Sequence, residues 1–148
     1  MKVLFVDDDW RRLERHVDEL RDRGYTVTFE SQVDPAIAIL RDSANYFDLI
    51  ILDISMPPGK EMFFQDTVGG TRTGVALYDL VRNLRPNVKI IALTNVPDKG
   101  VANYFHNEDP NLCRFVRKPE ALPFRFGELV SEFLEDRPAD NENANEQS

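Results

Sequence analysis

The sequence predicts an α/β fold, a five-stranded parallel sheet with helices on both faces. Three observations predict it. Short apolar runs alternate with longer amphipathic stretches over the first 118 residues. Two of the short runs, "DLIILD" and "VKIIALT", are apolar without alternation, as strands buried on both faces are. The longer stretches repeat their apolar residues at spacings of three and four, the mark of one helical stripe.

The elements follow in order. "KVLFV" (2–6) is a compact strand. "WRRLERHVDELRDRG" carries Leu13, Val17 and Leu20 on one helical face; Asp8 or Asp9 can cap it and Gly24 ends it. "YTVTFE" (25–30) alternates at period two and reads as a strand. "DPAIAILRDSA" opens a helix, with Asp34 as N-cap and Pro35 at the first helical position. The strand "DLIILD" follows, and then "GVALYDLVRNLR", amphipathic through Val75, Leu77, Leu80, Val81 and Leu84 until Pro86 stops it. "VKIIALT" (88–94) is the fourth strand. Residues 97–111 are poorly patterned, with Pro97, Gly100 and Pro110, and admit a helix over about 99–106. "CRFVR" (113–117) is a short strand. "PFRFGELVSEFLED" (123–136) is the last helix, with a stripe through Phe126, Leu129, Val130 and Phe133. The tail from 137 to 148 has no apolar residue larger than alanine and is expected to be disordered.

Composition narrows the function classes. The 148 residues suit one domain over 1–136. A net charge of −8, from 26 acidic against 18 basic residues, argues against binding a phosphate backbone. No apolar run approaches the roughly 20 residues of a spanning helix, and "MKVLFVDDDW" is closed too soon by acids to be a secretory signal. The single cysteine, Cys113, precludes an internal disulfide, reads as a small buried hydrophobe, and fits a cytoplasmic location.

In open sheets of this kind, ligands bind beyond the carboxyl ends of the strands. Strand one ends in Asp7, Asp8 and Asp9; strand three in Asp53; strand four in Thr94; strand five runs into Lys118. Each has an ordinary explanation alone: a cap, a turn residue, β-propensity, a solvated edge charge. The topology brings them to one rim. Clustered carboxylates repel, by about 4 kcal/mol for a pair at 4 Å and an effective dielectric near 20. Lys118 offsets one charge, and a hard divalent cation such as Mg²⁺ suits the rest. Asp, Mg²⁺, a hydroxyl and a Lys around one spot form a phosphoryl-transfer site with the carboxylate as nucleophile.

The motifs "VLFVDDD", "DLIILDISMP", "IIALTN" and "FVRKP" resemble, in order and position, those of response regulator receiver domains. The resemblance covers residues 2 to about 136. It implies a doubly wound sheet of strand order 2-1-3-4-5. It implies that Asp53 accepts a phosphoryl group from a histidine kinase or phosphotransfer protein. Asp7 and Asp8 would hold Mg²⁺, Asp8 directly and Asp7 mainly through water, with the backbone carbonyl of Ser55 as a further ligand. Thr94 would be the switch hydroxyl, Lys118 the lysine that bridges to the phosphoryl group, and Lys118–Pro119 a cis peptide. Phe115 matches the switch aromatic, and reads equally as a packed strand residue.

The chain also departs from that pattern. Seventeen steps separate Pro57 from Gly74, so an insertion of about 58–73 lies beside the acceptor. Its Met62, Phe63 and Phe64 suggest a lid or a partner contact, against a floppy insertion hinged at Gly69–Gly70. Gly69, Gly70 and Arg72 only weakly resemble a phosphate-cradling turn. Asn95 is larger than the usual residue after the switch Thr and would slow access to the acceptor. His16 and His106 lack metal-ligand company and read as surface residues.

Three functions compete. The first is a single-domain response regulator, not an enzyme acting on other substrates, that switches contacts with a downstream protein. The second is a degenerate receiver that binds partners without phosphorylation. The third is a haloacid-dehalogenase-like phosphohydrolase, which wants a second Asp where this chain has Ser55. Neither nucleic acid nor membrane is expected as a partner, and the sequence leaves the oligomeric state open.

Overall fold

The structure, a computed structural model, describes residues 1–55, 71–95, 99–118 and 122–135, with backbone alone at 71–74. The elements are β1 (Lys2–Val6), α1 (Trp10–Asp22), β2 (Thr26–Glu30), α2 (Val33–Arg41), β3 (Leu49–Asp53), α3 (Thr71–Leu84), β4 (Lys89–Thr94), α4 (Lys99–His106), β5 (Cys113–Arg117) and α5 (Pro123–Glu135). The strands form one sheet in the order β2-β1-β3-β4-β5, every neighbouring pair parallel. The fold class and strand order are those expected.

Alternation along the central strands divides the core in two. Val3, Phe5, Leu49, Ile51, Ile91 and Leu93 pack with Leu13, Val17 and Leu20 of α1 and Phe126, Val130 and Phe133 of α5. Leu4, Val6, Ile50, Leu52, Ile90 and Ala92 face the other way, onto α2, α3 and α4. All five residues of β3 are buried, which explains its unbroken apolar run.

Two helix starts differ from the sequence reading. Helix α2 begins at Val33 after a Gln32 cap, so Asp34 and Pro35 lie inside its first turn. The first-turn amides have no intrahelical acceptor, so Pro35 costs nothing there. Val33, Ala36, Ile37 and Leu40 then complete the buried stripe. Helix α3 begins at Thr71, three residues before Gly74. Its polar first turn adds nothing to the apolar stripe, so periodicity could not reveal it. Helix α4, admitted but not required by its sequence, anchors through Val101 and Phe105. Gly24 ends α1 with φ +96°, the left-handed backbone that glycine adopts without a Cβ penalty.

The residues 58–70 of the insertion, the Lys118–Pro119 peptide and the tail lie outside the described residues. Among the described residues, no helix is long and apolar enough to cross a membrane.

A candidate phosphoacceptor site at the sheet's carboxyl rim

Parallel strands deliver their carboxyl ends to one edge, and the register fixes what meets there. Val6 pairs with Leu52, so Asp7 and Asp53 emerge side by side. Asp53 pairs with Leu93 and Thr94 with Arg117, which sets Thr94 and Lys118 next to them. Asp7 is fully buried, Asp53 is 1% exposed and Thr94 3%. Asp8 is exposed.

The Lys118 ammonium lies between the two buried carboxylates, 2.8 Å from Asp7 Oδ2 and 3.1 Å from Asp53 Oδ2. The Ser55 N–H donates to Asp53 Oδ1 at 2.7 Å, and the Asp9 N–H donates to Asp7 Oδ1 at 2.9 Å. Asp7 Oδ2 has a charge partner in Lys118 but no aligned hydrogen-bond donor. The Ser55 hydroxyl lies 3.4 Å from that of Thr94.

This balance shifts the ionisable groups. Burial, reinforced by the charge of Asp7 and opposed by Lys118, raises the Asp53 pKa to about 7. Burial also raises that of Asp7 against the pull of Lys118. Burial pushes Lys118 down, but its close contacts with the Asp7 and Asp53 carboxylates outweigh that and hold its pKa above the ordinary value. One ammonium is insufficient for this cluster.

The residues fit a hard divalent cation. Asp7, Asp8 and Asp53 each offer a carboxylate oxygen, all within 4.8 Å of one another. Among the described residues, the ionised cluster of three carboxylates with Lys118 paired carries a net charge of minus two. One Asp7 oxygen is buried with unused acceptor capacity. All-oxygen, carboxylate-rich donors with one ligand open to solvent are what Mg²⁺ takes.

The expected residues Asp7, Asp8, Asp53, Ser55, Thr94 and Lys118 therefore converge. Phe115 sits outside this cluster, half-buried and stacked on Phe105 at 5.3 Å with ring planes 13° apart. Tyr78 meets Phe105 edge-on at 4.9 Å. Packing is thus what the contacts of Phe115 display.

Sequence reasoning missed two features. Asp9 precedes α1 but makes no side-chain cap bond; its backbone N–H serves Asp7 instead. His16 is half-buried, edge-on to Phe126 at 5.5 Å, rather than a surface residue. It lines a groove of about 290 Å³ with Arg12, Leu13, Asn95, Lys118 and Phe126. The i, i+3 spacing of Leu13 and His16 was the available signal. His106 is exposed as expected, and Cys113 is buried, its thiol pushed up to about 11 by burial.

A doubly wound sheet with an acid–lysine rim is the fold of response regulator receiver domains, and the solved structures agree. A receiver domain protein (CheY-like) from Methanospirillum hungatei superposes with a TM-score of 0.70 at 24% identity, over 91% of this chain and 94% of that one. A response regulator receiver protein from Sinorhizobium medicae gives 0.67 at 22%, over 93% and 97%. The BeF3-activated DrrB receiver domain gives 0.63 at 24%, over 90% and 97%. In sequence, 57 residues are 44% identical to the two-component response regulator ARR12 of Arabidopsis thaliana. That match takes in 38% of this chain and only 10% of the relative's length. No family model matches the chain.

Proposed function

We propose that the chain is a phosphoacceptor switch, in which Asp53 takes a phosphoryl group from a phosphohistidine of a histidine kinase or phosphotransfer protein. The observation that carries this reading is the buried Asp53 carboxylate, paired with Lys118 at 3.1 Å and clustered with Asp7 and Asp8. A buried carboxylate so served is either a stability defect or a reactive group.

In the transfer, an Asp53 carboxylate oxygen attacks phosphorus in line with the leaving nitrogen. The P–O bond forms as the P–N bond breaks, and the imidazole leaves with the electron pair. Lys118 and the Thr94 hydroxyl meet the equatorial oxygens, where charge spreads in the transition state. Asp7, Asp8, Asp53 and the Ser55 carbonyl would hold Mg²⁺. That ion, when bound, supplies the positive charge that lets an ionised Asp53 and an anionic donor approach each other. Asp8 and Asn95 are exposed at the rim, where a protein donor would approach. The receiver unit runs over 1–136. The insertion of about 58–73 acts as a lid or partner contact, and 137–148 form an acidic tail. The reading makes the protein a cytoplasmic signalling domain that acts through a downstream protein rather than by turnover.

Incubation with Mg²⁺ and acetyl phosphate, followed by intact-mass measurement, tests this. Gain of one phosphoryl group, abolished by Asp53→Asn, is expected. Turnover of external phosphoesters would point to a hydrolase. No modification by small donors or kinases would refute the phosphoacceptor reading.

A further inference from the structure

We draw no further inference here: the strongest candidate, the groove of about 290 Å³ between α1 and α5 with Leu13, Leu93 and Phe126 among its walls, carries charges of both signs in Asp9, Arg12 and Lys118, and nothing in the structure shows what covers it.

Discussion

Asp53→Asn should stabilise the protein at neutral pH in chelator, although it would remove the proposed acceptor. An unfolded chain ionises this carboxyl near 3.8, whereas the native pocket holds it to about 7. Between those values the native state keeps a proton that the unfolded state has lost. Stability therefore falls as pH rises through that window, and the full cost stands above it. Three units correspond to about 4 kcal/mol at 1.36 kcal/mol each. The value of about 7 already includes the opposing pull of Lys118, and the amide keeps an acceptor for the Ser55 N–H. The gain should therefore approach about 4 kcal/mol, or roughly 8–15 °C in Tm for a domain of this size. The assay is thermal unfolding of both proteins in chelator at pH 4, 6 and 8. The curves should converge at pH 4 and separate at pH 8, and millimolar Mg²⁺ should shrink the gap by stabilising the wild type. A variant no more stable than the wild type at pH 8 in chelator would refute the idea that Asp53 is an under-neutralised buried charge.

Three further outcomes follow from the same contacts. Lys118→Met leaves the Asp7 and Asp53 carboxylates buried without their cation. It should cost about 3–5 kcal/mol in denaturant unfolding at pH 7 and recover toward pH 5, where the carboxyls take up protons; equal loss at both pH values would contradict the pairing. Trp10 opens α1 directly after the acidic residues and is 51% exposed, so its fluorescence should titrate with millimolar Mg²⁺ and lose that response in Asp8→Asn. An unresponsive Trp10, with no binding by calorimetry, would remove the metal site. Phe105→Ala should cost about 3–5 kcal/mol and abolish amide protection over 99–106 before other helices open, because an eight-residue helix does not stand alone. Retained protection there would show that α4 is held by something other than its aromatic contacts.

Much of this was legible because the sheet is parallel and doubly covered. Unbroken apolar runs such as Leu49–Leu52 identify strands buried on both faces. The rule that parallel strands send their carboxyl ends to one edge then gathers Asp7, Asp53, Thr94 and Lys118 from four distant places. Features without a hydrophobic period were invisible: the polar first turn of α3, and the Gln32 start of α2 ahead of a proline that suggested a later one. The aromatic cluster of Tyr78, Phe105 and Phe115 joins three elements and is a matter of tertiary packing, not of spacing. The Ser55–Thr94 contact depends on β3–β4 register, which no local pattern encodes.

The pocket's charge imbalance has a consequence for stability. A rim built for stability would match each buried carboxylate with its own cation, or replace the set with apolar residues at little cost. Among the described residues, one ammonium is shared by two buried carboxylates, and a third faces solvent. The remaining charge makes the fold's stability depend on whatever cation or group arrives there, since a ligand of the native state alone adds stability by mass action. Lys118 is the first residue past β5, so its ion pair with Asp53 is anchored at the end of that strand. Three residues back, Phe115 stacks on Phe105 of α4. The charge pair at the rim and the aromatic contact with α4 thus sit at the end of β5 and on β5 itself.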